Sequence, residues 1–242
     1  MFATGTIVNT VAIAVAGVLG AFAKGALTDK MQDALIKCCG VSVIFVSVAG
    51  VMEGMLTVQG QTLATANSML VVISMVVGTF IGELIGIEEA FESFGVWLRH
   101  KSGNDSDTGF VDAFVVASLT VCVGAMAIVG AIEDGVSGDS STLVIKSVLD
   151  FIIILVMTSS MGKGAAFSAV PIFLLEGSFT VLGCLIAPYL IDQAIFNLSL
   201  VGSILIFCVG VNLVWGKTVR VANMLPAIVV AAAIAYLPIS IS

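Results

Sequence analysis

The chain has 242 residues, 59% hydrophobic and only 10% charged, with a net charge of -7 and a mean hydropathy of +1.18. Soluble domains carry about 25% charged residues, so this composition lacks the polar groups to cover a water-exposed surface and excludes a soluble globular protein. The acidic balance, with no basic or aromatic RNA-type motif, speaks against a nucleic-acid partner.

Apolar stretches recur near the length of about 20 residues that crosses a bilayer as a helix. They predict an all-α polytopic membrane protein, a single transmembrane domain over 1–242 with eight spans. The N-terminus lacks the positive n-region of a cleaved signal peptide. Span one (3–23) carries Asn9. ALTDKMQDALIK (26–37) follows, with Leu27, Met31, Ala34 and Leu35 on one face, and reads as an amphipathic helix lying on the membrane surface. Span two is 36–54 and span three 63–85, with Asn67 near the start of span three and Glu83 near its inner end. IEEAFESFGVWLRHK (87–101) is a second amphipathic segment, with Trp97 at the interface, and SGNDSDTG (102–109) is a flexible link. Span four is 110–133, and DGVSGD (134–139) then reads as a solvated turn whose acids draw cations if it does more. Span five (142–160) holds Lys146, Ser147 and Asp150. Span six (164–187), bracketed by Pro171 and Pro188, holds Glu176 just before Gly177, a glycine suited to a kink or a close helix approach. IDQAIFNL (191–198) repeats the amphipathic pattern, span seven is 198–215, and span eight (221–238) contains Asn223 and Pro226.

The loops orient these spans. Lys24, Lys30, Lys37, Arg99, Lys101, Lys163, Lys217 and Arg220 all fall in alternate loops, eight of the nine Lys and Arg residues. Positive charge marks the cytoplasmic side; both termini are then extracytoplasmic, as are Glu53, Glu133, Asp134, Asp139 and Asp192.

Short stretches recur in order. TLATANSMLVVI (62–73), TLVIKSVLDFII (142–153) and TVRVANMLPAIV (218–229) align, offset by 80 and then 76 residues. GTIV at 5, GTFI at 78 and GSFT at 177 open a second shared element, giving repeat-like units of approximately 1–77, 78–160 and 161–242. Spans seven and eight run opposite to spans two and three, so spans one to three and six to eight read as an inverted pair. Inverted repeats are characteristic of secondary transporters and also occur in channels and membrane scaffolds.

Lys146 and Asp150 share a helix face, four residues apart. An isolated charge at the bilayer centre costs about 2.5–3.5 kcal/mol on insertion scales, so an intramembrane pair is a functional site by default; the alternative is a clamp between spans. Glu176, on the adjacent antiparallel span, can meet Asp150, and two carboxylates at one site take up a proton or a cation; a protonated, merely hydrogen-bonded Glu176 is the alternative. Asn67, Ser147 and Asn223 occupy equivalent repeat positions, as interhelical glue singly or as the lining of a cavity together. Cys38, Cys39, Cys122, Cys184 and Cys208 read as buried apolar residues, and His100 sits in a basic cluster at the inner interface. No Walker A loop, GxSxG elbow or HExxH helix occurs, so neither an enzyme nor a cofactor is expected.

ASLTVCVGAMAIVGAIEDGVSGD (117–139), KSVLD (146–150), RVANMLPA (220–227) and GTIVNT (5–10) resemble the bacterial YqgA/YdfK-type inner-membrane proteins, a family of uncharacterised multi-pass proteins, over nearly the whole chain. The resemblance implies a bacterial plasma-membrane location and no enzymatic cofactor. That pattern often has Gln where Glu176 stands, so it carries over to Lys146 and Asp150 but not to a carboxylate at 176.

The reading that follows is an ion- or proton-coupled secondary transporter for a small solute or ion, with the site between the inverted repeats. Lys146 and Asp150 are central to it, with Asn9, Asn67, Ser147, Glu176 and Asn223 nearby. Lys146 either meets an anionic substrate or releases Asp150 when a proton or cation arrives. A gated channel and a non-transporting scaffold are the alternatives. The lipid bilayer is the partner, and the 25 glycines suit close packing and a homo-oligomer.

Overall fold

Many large apolar side chains on these helices point outward. On helix α3 (Ser68–Ile85), Val72, Val76, Phe80 and Leu84 are exposed at every fourth residue, while Ser74, Gly78 and Gly82 are buried. A water-soluble helix has the reverse arrangement. The computed structural model describes residues 3–23, 28–59, 62–90, 93, 108–122, 125–216 and 218–237. Six of its helical segments are long and apolar enough to cross a membrane: Thr4–Phe22, Asp29–Met55, Ser68–Ile85, Ser141–Met161, Lys163–Tyr189 and Asp192–Trp215. The chain is an all-α polytopic membrane protein.

In chain order the elements are α1 (Thr4–Phe22), α2 (Asp29–Met55), strands β1 (Leu56–Gln59) and β2 (Thr62–Thr65), α3, α4 (Thr108–Cys122), α5 (Ala125–Val136), α6 (Ser141–Met161), a 3₁₀ segment (Lys163–Ser168), α7 (Ala169–Ile186), a 3₁₀ turn (Ala187–Tyr189), α8 (Asp192–Trp215), α9 (Val221–Met224) and α10 (Pro226–Ile234). Helices α4 and α5 are together long and apolar enough to cross a membrane, bent by 49° from each other, as a seventh, broken span or as a re-entrant pair. The eighth predicted span is divided into α9 and α10. Pro226 has no N–H to continue the α9 ladder, so Leu225 N–H bonds Ala222 O and the helix restarts at Pro226.

Three expectations change. The segments 26–37 and 191–198 are not separate surface helices: residues 29–37 and 192–198 are the first turns of α2 and α8. Between 29 and 55 no proline interrupts the chain, and the backbone ladder runs straight into the apolar part. Span three begins at Ser68, because residues 62–65 pair with 56–59 in an antiparallel hairpin, Leu56 opposite Thr65 and Gln59 opposite Thr62. Asn67, in the left-handed region (φ 61°), turns the chain from strand to helix, a conformation Asn tolerates. Of the second amphipathic segment, residues 91–92 and 94–101 lie outside the described residues, as do Lys24, Arg99, His100, Lys101, Lys217 and 102–107.

The chain forms two compact units. The first comprises Met1–Cys39 and Glu89–Pro188, the second Gly40–Glu88 and Tyr189–Ser242. In the first, α1 packs along α6 and against α7, α5 packs on α7, and α4 packs on the 3₁₀ segment, where Phe110 and Phe167 meet edge to face at 5.4 Å. In the second, α3 and α8 both pack on α10, with Val201, Ala227 and Ala231 as the core, and Asn197 Nδ2 donates to Ala231 O at 3.0 Å.

The turn before α6 is fixed by Asp139, whose Oδ1 accepts from Ser141 N–H at 2.9 Å. The Ser141 hydroxyl and N–H hold this exposed carboxyl below its usual value. A carboxylate with a depressed folded pKa contributes stability above its unfolded value of about 4, lost as pH falls through the lower folded value. Asp139→Ala is therefore expected to lower stability by about 0.5 kcal/mol at neutral pH, the low end for such caps, and by nothing at the acid end. A thermal melt series against pH checks this.

Candidate functional site

Helix α1 lies close to α6 because its inward face is small. A Cβ on Gly5 would meet Leu143 Cβ at 2.6 Å, one on Gly17 would meet Ala166 Cα at 2.7 Å, and one on Gly20 would meet Leu155 O at 2.7 Å. The same face carries Asn9, whose side chain is thereby pressed into the interior of the first unit, with 0% exposure.

There it meets the charged groups. Lys146 and Asp150 sit one turn apart on α6, and Glu176 faces them from α7; they are 4%, 4% and 0% exposed. Lys146 Nζ donates to Asp150 Oδ2 and, at 3.0 Å, to the Val121 carbonyl of α4, and lies 3.8 Å from Glu176 Oε1. Asn9 Nδ2 donates to both carboxylates, to Asp150 Oδ2 at 3.0 Å and Glu176 Oε1 at 2.7 Å. These two acceptors fix the orientation of the amide, since its oxygen cannot face them. The Asn9 Oδ1 and Glu176 Oε2 atoms are buried with no partner among the described residues. Four elements thus converge on one buried cluster of one cation, two carboxylates and one amide. Burying charge without full pairing is expensive. The cluster holds one carboxylate more than its cation neutralises, and its open oxygens are where a proton or a small cation would bind.

A second acidic group extends it. Asp134, on α5, is 4% exposed, and its Oδ2 accepts from the Gly5 N–H at 3.1 Å. This caps the N-terminus of α1, where unpaired N–H groups and the helix dipole favour an anion. The expectation of a solvated turn from residue 134 onward is corrected: the solvated part begins at Ser137, and Asp134 is interior. Between Asp134 and the cluster, Thr6 Oγ1 and Thr180 Oγ1 bond at 3.1 Å, both 0% exposed. Glu133 Oε2 accepts from Thr142 Oγ1 at 2.8 Å and ties α5 to α6. Reading Asp134 and the two threonines as site residues required the tertiary packing of α1 on α5 and α7; the local signal was only Asp134 lying within helical reach of Gly130, inside an apolar run.

Ser147 is buried beside the pair, but its hydroxyl donates to Val144 O of its own helix at 2.7 Å. Asn67 and Asn223 belong to the second unit. Asn67 Nδ2 donates to Gly54 O at 2.9 Å, and Asn223 Oδ1 accepts from Glu88 N–H at 2.7 Å. Gly177 does not serve a close approach: an added Cβ there would meet nothing within 4 Å, and α7 runs through it. The cysteines are not uniformly buried: Cys39 and Cys122 are, Cys38 is exposed, and Cys184 donates its thiol to Gly135 O at 3.0 Å.

Residues 4–236 match the family described as "Protein of unknown function (DUF554)". The chain is similar to "Uncharacterized protein YqgA" of Escherichia coli (strain K12), 25% identical over 231 residues, covering 94% of each chain. It is also similar to "Uncharacterized membrane protein YdfK" of Bacillus subtilis (strain 168), 25% identical over 226 residues and 93% of each. No solved structure matches it.

Proposed function

The chain belongs to the DUF554 family of proteins of unknown function, and we propose that it is an ion- or proton-coupled secondary transporter for a small solute, with Asn9, Lys146, Asp150 and Glu176 as its coupling site. The observation that carries this reading is the buried imbalance of groups: one amine against two carboxyl groups, with the Asn9 Oδ1 and Glu176 Oε2 oxygens unpartnered among the described residues. A purely structural clamp needs one cation and one anion. A second carboxyl group beside them adds desolvation without a charge to meet it unless it holds a proton or a cation, and an occupant that comes and goes makes the cluster a coupling site.

The repeat pattern supports the same reading. The first unit holds spans one and six, one from each member of the inverted pair, together with spans four and five, and the second holds most of span two with spans three, seven and eight. Paired contributions of this kind suit a carrier whose halves exchange roles. We place the protein in a bacterial inner membrane, with Asp134 and the 137–139 turn toward the extracytoplasmic side and both termini on that side. The scaffold reading keeps one point in its favour, since Lys146 has its acceptors within the protein; it predicts no solute at all.

A thermal-shift screen of purified protein against amino acids, organic acids and monovalent cations tests the proposal. A bound solute at 100 times its Kd stabilises by about 2.7 kcal/mol. That shift is expected in the wild type and absent or strongly reduced in Asp150→Asn. A solute that stabilises both equally removes Asp150 from its site, and no shift with any compound favours the scaffold.

A further inference from the structure

The cluster has one feature that a static ion pair does not use, namely the line of buried polar groups leading to it. Helix α5 ends at Val136, and Ser137, Gly138 and Asp139 are exposed. One turn back, Asp134 is buried, with Oδ2 on the Gly5 N–H and Oδ1 without a partner among the described residues. The next residue of α1 is Thr6, bonded to Thr180 of α7. Thr6 lies three residues before Asn9 on one face of α1, and Thr180 lies four residues after Glu176 on one face of α7. The hydroxyl pair therefore sits one turn from the Asn9–Glu176 bond and, on the other side, beside the residue that Asp134 holds.

Most hydroxyls of the unit are used otherwise. Thr10, Ser147 and Ser178 each donate back to a carbonyl of their own helix, and Thr142 donates to Glu133. Thr6 and Thr180 bond to each other, and either can be the donor. A hydroxyl pair that can reverse its direction can pass a proton. At the end of the line, Glu176 Oε1 is occupied by Asn9, and the buried Oε2 has no partner among the described residues.

We propose that protons reach Glu176 Oε2 from the aqueous side of the 137–139 turn through a buried relay of Asp134, Thr6 and Thr180. The proposal rests on reading the cluster as a coupling site and names the proton as the coupling ion. Asp134 Oδ1 is buried, and neither it nor Glu176 Oε2 is hydrogen-bonded to a threonine in this structure, so a proton enters when water reaches Asp134 past the turn, and each hop follows a rotation of the carboxyl group or the hydroxyl. One threonine oxygen then accepts that proton while its own hydroxyl proton moves to the other threonine oxygen, which in turn gives a proton to Glu176 Oε2. Only O–H bonds form and break, Asp134 returns to carboxylate, and Glu176 becomes neutral. The cluster is then balanced, with Lys146 paired to Asp150. Among the described residues, the titratable groups that act on Glu176 are Lys146 and Asp150 from α6, Asp134 from α5 and Cys122 from α4; α1 presents only uncharged Thr6 and Asn9.

The test is infrared difference spectroscopy of the full chain in lipid nanodiscs after a pH jump, with protons as the only ligand. The wild type is expected to gain a carboxylic-acid carbonyl band that Glu176→Gln lacks. Thr6→Val, Thr180→Val and Asp134→Asn are expected to reach the same band amplitude at least about tenfold more slowly, a modest share of the 10²–10⁴ that a positioned proton-transfer group contributes. Thr180→Ser, which keeps the hydroxyl, is expected to keep the rate. Equal final amplitude shows that the fold and the proton site are intact, and for Asp134→Asn rates are compared at equal fractional protonation because a nearby charge is lost. Unchanged rates in the three variants would overturn the relay while leaving the coupling site standing. A wild type with no band assignable to Glu176 would overturn relay and proton binding together.

Discussion

Lys146→Met is expected to destabilise the protein by about 3–5 kcal/mol, the range for removing one partner of a buried ion pair, and Asp150→Asn by about half of that. The two do not have equal effects because the cluster is not symmetric. Without Asp150, Lys146 still has the Val121 carbonyl at 3.0 Å and the Glu176 carboxylate at 3.8 Å. Without Lys146, two buried carboxylates share a single amide donor, Asn9. Methionine fills nearly the volume of the lysine stem, so the loss reports charge and not a cavity. The triple replacement Lys146→Met, Asp150→Leu, Glu176→Gln is expected to recover most of the stability, since removing a buried charged set as a whole is often neutral. It is not expected to recover any transport. Reversible unfolding in mixed micelles gives the three values. An Asp150→Asn loss equal to or larger than that of Lys146→Met would show that Glu176 gives the lysine no second partner.

Gly17→Val is expected to be nearly as damaging, by about 3 kcal/mol, the upper part of the range for overpacking. A Cβ at position 17 meets the Ala166 main chain at 2.7 Å, and no rotamer change can relieve a backbone contact. Helix α1 must move away from the 3₁₀ segment, and it carries Asn9 with it. The site should therefore lose the amide that joins Asp150 and Glu176, so that Gly17→Val and Asn9→Ala show the same transport defect. Gly177→Ala is the control. It lies beside Glu176, an added Cβ meets nothing within 4 Å, and alanine improves helix propensity by up to about 1 kcal/mol. Unfolding measurements that placed these two glycine variants together would refute the close-packing account of α1.

These expectations depend on parts of the site that the sequence shows unevenly. Lys146 and Asp150 were legible because a charge in an apolar run is conspicuous and four-residue spacing puts both on one face. Glu176 and Asn9 were legible for the same reason, the one carboxylate of α7 and the one amide of α1 in long apolar helices. Asp134 was not, because it stands in IEDGVSGD, where acids and glycines look like a loop; its burial depends on the N-terminus of α1, 129 residues away in the chain, needing an anion. Thr6 and Thr180 carry no local signal, because threonine is common in membrane helices and only their contact gives them meaning. The equivalence of Asn67, Ser147 and Asn223 was a statement about aligned positions. Their hydrogen bonds go to Gly54, Val144 and Glu88, three unrelated partners, and two of the residues lie in the second unit. Periodicity finds spans well, yet it cannot say that an amphipathic start continues into a span, as in α2 and α8, or that TLAT pairs as a strand.

The central claim, that the Asn9–Lys146–Asp150–Glu176 cluster binds the ion that drives solute movement, is tested most directly in proteoliposomes carrying a trapped pH indicator. Solutes that stabilise the protein are added outside, and internal pH is followed for the wild type, Asp150→Asn and Glu176→Gln. Saturable, solute-driven proton movement in the wild type that both variants lose is the predicted result. Large uncoupled currents, or proton movement that persists unchanged in both variants, would contradict it.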